Sequence, residues 1–247
     1  MSGLRDRIYT VRDAWWRTWP GRALAPSVFD FEAQRCLRGQ ALGVSFGLAE
    51  GLFAQDLRLE VDPRTIALAV PKVYVAEGNR IWPRRFFVLN GEWERETELF
   101  SETLAAVEMA GLIGAGDITT SKTYRGLITL MEKGQPRQHG ARFVNSVVAI
   151  GEYCQTYVEI YEDMCANGYR AAGPEDRVNG EIGVAVGRDG TLFHFRKGHH
   201  RLALAQRANL ERAVATVRLV HSEWLRGWID QTGKAPHAAA ATGLATL

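Results

Sequence analysis

The sequence predicts an α+β protein with an α/β N-terminal extension over residues 1–115, a C-terminal domain over 116–230 and a mobile tail over 231–247. Three observations carry that prediction. Apolar residues recur at helical spacing in some stretches and alternate at the period of a strand in others. The order strand, tight turn, strand, glycine, helix, strand is legible from Ile182 to Leu219. The 247 residues are 46% apolar and 23% charged, the balance of an ordinary globular chain long enough to bury a proper core.

Leu4, Ile8, Val11 and Trp15 fall on one helical face with Arg5, Arg7, Arg12 and Arg17 between them, and Pro20-Gly21 is expected to stop the pattern. A basic helix carrying Trp15, Trp16 and Trp19 suits either a membrane surface or a partner protein, or docks on the chain's own core. Residues 57–73 read as short strands punctuated by Pro63 and Pro71, and Phe86 to Leu89 as a strand running into the turn signal Asn90-Gly91. Helices are expected over 97–109, ending near Gly111, and over 123–133, stopping at Gly134.

Tyr153, Tyr157, Ile160, Tyr161 and Met164 share a helical face that Asn167-Gly168 terminates. After a loop through Gly173-Pro174, Ile182, Val184 and Val186 alternate as a strand, and Arg188-Asp189-Gly190 turns it back through 191–195. A helix runs from Gly198 to near Asn209, and Ala215, Val217 and Leu219 make the last strand before His221-Ser222-Glu223-Trp224. The alanine- and glycine-rich end lacks an amphipathic pattern, hence the expectation of a loosely attached tail.

A formal net charge of +2 exerts no global pull toward nucleic acid or anionic lipid. Cys36, Cys154 and Cys165 are odd in number and lack CxxC spacing, which argues against a disulfide framework or structural zinc and for a reduced cytoplasm. No apolar run approaches the length of a membrane span.

The informative stretch is Lys197-Gly198-His199-His200-Arg201, where a strand gives way to a helix. The first turn of a helix leaves backbone N–H groups unpaired and carries partial positive charge, so it suits an anion. Gly198 admits a phosphate close to the backbone, while Lys197, His199, His200 and Arg201 add side-chain donors. Neither a Walker loop nor a GxGxxG fingerprint is present, so the residues alone specify a phosphate or carboxylate site, with a solvated helix start as the plain alternative. A metal site of His194, His199 and His200 is disfavoured, because adjacent histidines diverge by about a hundred degrees on a helix.

Gly198-His199-His200-Arg201-Leu202 after a strand resembles the signature of the ParB/sulfiredoxin superfamily. Asn90-Gly91-Glu92-Trp93, Tyr161-Glu162, Gly168-Tyr169, the strand Ile182 to Val186 and His221 to Trp224 extend the resemblance over roughly residues 66–224. It implies a nucleotide, ATP or else ADP or CTP, held with Mg²⁺ at the turn by Lys197, Gly198, His199, His200 and Arg201. Family members differ in what they do: sulfiredoxins repair a cysteine with ATP, partitioning ParB proteins hydrolyse CTP, and a free serine kinase phosphorylates a small hydroxyl compound. His199 stands where sulfiredoxin has its nucleophilic cysteine, and about two dozen residues follow Trp224, too few for the DNA-binding region of partitioning ParB. The resemblance therefore implies a kinase acting on a small hydroxylated metabolite, with no DNA partner. Glu181 and His200 are the expected catalytic pair, with Glu152 and Asp176 behind Glu181 as alternative carboxylates. The alternatives are a non-catalytic nucleotide-binding regulator or assembly protein, and, third, a nucleic-acid-binding protein with a local basic face.

Overall fold

A computed structural model describes residues 15–76, 79–139, 142–170 and 181–247 of the chain. The first long helix, α1, is Trp19–Leu37. Pro20-Gly21 therefore starts a helix and does not stop one. Proline lacks only an N–H that the first turn leaves free anyway, and Thr18 caps the end by accepting from the Gly21 amide at 3.4 Å. Gly21 is needed there because a Cβ would lie 2.3 Å from the Trp15 carbonyl oxygen. Of the expected tryptophan stripe, Trp16 packs in the core and Trp19 is exposed, while residues 1–14 lie outside the described residues.

β1 (Gly43–Ser45) leads into α2 (Phe46–Phe53), and β2 (Arg58–Val61) and β3 (Leu68–Ala69) fill the stretch expected to hold short strands. β4 (Tyr74–Ala76) and β5 (Asn79–Ile81) form a hairpin of their own, and a single 3₁₀ turn, Pro83–Arg85, precedes β6 (Phe86–Leu89). Asn90-Gly91 is a turn but not a hairpin: β6 pairs with β1, and the chain runs on to β7 (Glu98–Leu99).

α3 is Leu104–Ile113, later than the 97–109 expected, because Thr103 caps it and residues 98–99 pair with β3. α4 (Lys122–Glu132) and α5 (Val147–Asn167) follow the sequence reading closely, each capped by a serine, Ser121 and Ser146. Between them lies a hairpin of β8 (Arg137–His139) and β9 (Arg142–Val144). β10 (Ile182–Val186) and β11 (Leu192–His194) form the expected hairpin, followed by α6 (His199–Arg207) and β12 (Ala213–His221). α7 (Ser222–Thr232) and α8 (Pro236–Leu244) complete the chain. The expected mobile tail is thus a helix with Ala239, Ala240 and Leu244 buried. Small side chains let it lie close against its neighbours, and a Cβ on Gly243 would come within 2.7 Å of Trp224 and Trp228. No helix among the described residues is long and apolar enough to cross a membrane.

The eight-stranded sheet runs β1-β6-β12-β10-β11-β3-β7, with β2 also paired to β12. It draws β1, β2, β3, β6 and β7 from before the expected boundary near residue 115 and β10, β11 and β12 from after it. β12 is the axis, parallel to β10 and β6 and antiparallel to β2. One face carries Ala213, Ala215 and Val217 into the large core beneath the helices. The other carries Leu219, Ala185, Phe193 and Phe195 into a smaller core with Tyr74 and Ile81 of the β4–β5 hairpin.

The register of β10 on β12 slips from Val184↔Val217 to Ala185↔Leu219, so Arg218 is an extra, bulged residue. On its other flank β12 pairs with β2 up to Thr216 and with β6 only from Val220. Arg218 therefore sits where the central strand changes neighbours. Changes of neighbour in open sheets are where ligands tend to bind, since backbone and side chains there are not all consumed by pairing.

Candidate functional site

The turn after β11 is strapped to β10 by backbone hydrogen bonds. Phe195 N–H donates to the Gly183 carbonyl at 2.7 Å, and Gly183 N–H donates to the Lys197 carbonyl at 2.9 Å. A side chain at Gly183 would put Cβ 2.3 Å from the Phe195 oxygen and 3.0 Å from Arg218 Cδ. Arg196 (φ 73°) and Gly198 (φ 71°) both adopt the left-handed conformation, unusual for an arginine. The strap explains it: two left-handed residues turn the chain sharply off the sheet edge and into α6.

The five expected ligand residues do not converge. His200 is buried and turned into the helix layer, with Nδ1 2.9 Å from Tyr157 Oη and Nε2 3.8 Å from Glu108 Oε2. Glu108 Oε1 in turn accepts from Arg137 at 2.6 Å. His200 therefore belongs to a buried polar cluster between α3, α5 and α6, and the expectation of a catalytic, phosphate-binding His200 is corrected on that ground. Arg201 points along the other side of α6, donating to the Arg170 carbonyl at 3.4 Å. His199 Nδ1 lies 3.4 Å from the Arg196 carbonyl, its ring 4.5 Å from that of His200.

Lys197 instead feels the charge of Arg218, the bulged residue of β12. Here the structure gathers residues that sequence reasoning missed. The Arg218 charge, then partial burial, hold Lys197 below the ordinary lysine range. Burial lowers Arg196, with Arg84 and Arg218 adding to the effect. Burial likewise lowers Arg218, opposed by Glu50 and Glu181. The Arg218 guanidinium lies over Phe46 at 5.1 Å, and its buried Nε has no hydrogen-bond partner among the described residues. Like charges this close raise one another's cost, and a pairing anion would relieve it.

The carboxylates in reach are already committed. Glu181 Oε1 pairs with Arg58 and Oε2 accepts from Thr216, while Glu50 pairs with Arg17 at 2.5 Å. Arg196, Lys197 and Arg218 have no ion pair among the described residues. Arg196, Lys197 and Arg218 thus make a notch of positive charge beside Gly183, which Glu50 and Glu181 oppose without an ion pair among the described residues. A hint was present in the sequence: Arg218 is the lone charge inside the strand AVATVRLVH, at the point where its alternation slips.

Other expected participants lie elsewhere. Glu152 lines a separate groove of about 970 Å³ with Asp117, Tyr124 and Glu162. Asp176 lies outside the described residues. Cys154 is buried in α5, its thiol pushed up to about 11 by burial, and Cys165 is on the same helix. His221 caps α7 by accepting from the Glu223 amide at 3.0 Å and donates from Nε2 to the Gly91 carbonyl at 2.8 Å, so with Trp224 it closes the core. No group of three or more His, Cys, Asp or Glu suited to a metal ion occurs among the described residues.

His194 supports the turn from beneath, donating from Nε2 to the Lys197 carbonyl at 3.2 Å with its ring against Phe100. Burial pushes its pKa from the ordinary 6.5 down to about 4. Between those values the unfolded chain binds a proton that the folded protein refuses. Stability is therefore complete above pH 6.5 and falls as pH drops toward about 4, by on the order of 3 kcal/mol in all. Melting wild type and His194→Gln across that range should show a steeper loss in wild type; parallel curves would remove His194 as the cause.

Compared with known proteins, the chain matches no family model, no curated protein and no solved structure.

Proposed function

We propose that the protein binds a nucleotide through its phosphates at the notch of Arg196, Lys197 and Arg218, and transfers a phosphoryl group to a small hydroxylated metabolite. The observation that carries the first half is Arg218: a bulged, half-buried guanidinium whose Nε has no partner among the described residues, near two further cations, Arg196 and Lys197, that form no ion pair among those residues. A polyphosphate supplies the missing counter-charge, and arginine binds its oxygens in a bidentate way. Gly198 and the first amides of α6 border the same turn, in keeping with the resemblance of Gly198 to Leu202 to a nucleotide-binding signature.

The second half rests on Glu181. Phosphoryl transfer is mostly positioning and charge neutralisation, with a carboxylate to orient the accepting hydroxyl. Glu181 lies near enough to act on both Lys197 and Arg218, and Arg58 and Thr216 hold it in place. Mg²⁺ commonly needs only one or two protein carboxylates beside phosphate oxygens; the two whose charges act on Arg218, Glu181 and Glu50, would have to exchange Arg58, Thr216 and Arg17 for the ion.

A non-catalytic nucleotide sensor is favoured by one specific observation, that both oxygens of Glu181 already have protein partners. Calorimetric titration of ATP, ADP and CTP, each with Mg²⁺, decides the binding step. One nucleotide should bind to wild type, and Lys197→Ala and Arg218→Met should each weaken it at least about tenfold, the loss of one charged hydrogen bond. Arg201→Ala should matter less, since that side chain turns toward Arg170. Failure of every nucleotide to bind sinks the reading. Phosphate transfer lost in Glu181→Gln at unchanged affinity selects the kinase; binding without transfer to any acceptor selects the sensor.

A further inference from the structure

A cleft of about 1010 Å³ opens between the β4–β5 hairpin and α1, well outside the turn at Gly198. Its aromatic wall is Tyr74, Trp82 and Phe86, and Arg35, Arg80 and Arg85 reach into it against one lining carboxylate, Glu32. The floor is smooth because Gly43 and Gly91 admit no side chain: a Cβ would lie 2.0 Å from the Val88 carbonyl oxygen in the first case and 2.9 Å from Tyr74 Oη in the second. Several polar groups there are already satisfied. Tyr74 Oη donates to the Asn90 carbonyl at 3.2 Å, and Asn90 Nδ2 donates to the Ala41 carbonyl at 3.0 Å.

Two arginines at the cleft's edge, Arg80 and Arg84, are supported by a ring. Arg80 lies 5.9 Å and Arg84 5.2 Å from the Trp82 ring centre, and neither has an ion pair among the described residues. Cation–π support orients a guanidinium without consuming its hydrogen-bond donors, so those donors remain available to an anion from solution. A volume this large, with three aromatic rings along it, exceeds what a bare phosphate would fill and falls at the size of a small-ligand pocket.

We propose that this cleft binds a planar aromatic anion of nucleoside monophosphate type, its ring along Trp82 and Tyr74 and its phosphate on Arg80. The site is separate from the notch and does not depend on it. Arg84, next in sequence to Arg85 of the cleft, is one of the charges that act on Arg196.

The probe is AMP, titrated calorimetrically into the full chain, with adenosine and inorganic phosphate as its two fragments. AMP should saturate, and each fragment alone should bind at least about tenfold more weakly, since ring and charge are both engaged. Arg80→Ala and Trp82→Ala should each weaken AMP at least about tenfold, and Lys197→Ala should leave it within about twofold. Both cleft positions reach solvent, so unchanged melting temperatures are expected; if Trp82→Ala fails to fold, Arg80→Gln carries the test. No saturation by AMP overturns the proposal. So does AMP binding that Lys197→Ala abolishes while Arg80→Ala leaves it intact, because AMP would then occupy the notch. ATP run against the same variants separates the two sites: ATP failing while AMP binds defeats the notch reading alone.

Discussion

Gly198→Ala is expected to destabilise the protein by about 3 kcal/mol or more, and to cost it the arrangement of the whole turn. Two penalties add. The left-handed backbone, φ 71° and ψ 19°, disfavours any side chain by about 1–2 kcal/mol. The new Cβ would also lie 2.7 Å from Ile182 Cα, 2.9 Å from the Glu181 carbonyl oxygen and 2.9 Å from Ile182 N. All three are backbone atoms of β10 or its approach, so no rotamer change relieves the contact. The start of α6 would have to lift from the sheet, and the hydrogen bond from Gly183 N–H to the Lys197 carbonyl would stretch with it. Gly190→Ala is the control. Its φ is 89° with nothing within 4 Å of a Cβ, so it incurs the conformational penalty alone, about 1 kcal/mol. Urea denaturation of the two variants measures the difference, and equal losses would mean that the close approach of α6 to β10 has no energetic weight.

Glu108→Ala should be about as damaging, losing about 3–5 kcal/mol, because it leaves a half-buried cation without its counter-charge. Glu108 Oε1 accepts from Arg137 at 2.6 Å, and the two side chains are 14% and 24% exposed. The same carboxylate faces His200, which in turn meets Tyr157. Burial pushes the Glu108 carboxyl up, but contacts with His200 and Arg137 outweigh it and hold the group below the usual carboxylate range. Its contribution is therefore present above that range and lost as pH falls through its depressed value. Thermal melts from neutral to acid should show a step in wild type that Glu108→Ala lacks. Glu108→Gln, which keeps the shape and one acceptor, should fall between them. If Glu108→Ala melts like wild type at neutral pH, the cluster does not hold α3 to α6, and the turn is positioned by the sheet contacts alone.

The cluster also explains why the GHHR stretch was only half legible. Strand, hairpin, glycine and helix were readable from local pattern, since periodicity, a turn signal and a left-handed glycine are properties of neighbours in sequence. Gly168, Gly134 and Gly198 all fall at helix ends for that reason. The direction of each side chain around the first turn of α6 was not readable. His199, His200 and Arg201 are consecutive, so about a hundred degrees separates each from the next, and what lies in each direction depends on α3, α5 and the sheet. His200 found Glu108 and Tyr157, from positions 92 and 43 residues earlier in the chain. Pro20-Gly21 and the alanine-rich end failed differently. Both are ambiguous locally, and tertiary contacts resolved them into α1 and α8.

What the sequence determined by itself was the mixed α and β character, the hairpin and helix of residues 182–207, and the turn at Gly198. These follow from interactions within a few residues, where the chain's own spacing sets the geometry. Only the tertiary structure decided that Arg196, Lys197 and Arg218 share a notch, that Glu181 is tied to Arg58 and Thr216, and that Trp82 carries two arginines over a cleft. The physical reason is the bulge in β12. A one-residue slip between two strands, set by how β2, β6 and β10 compete for the same partner, re-aims Arg218, and no local pattern encodes which strands will meet.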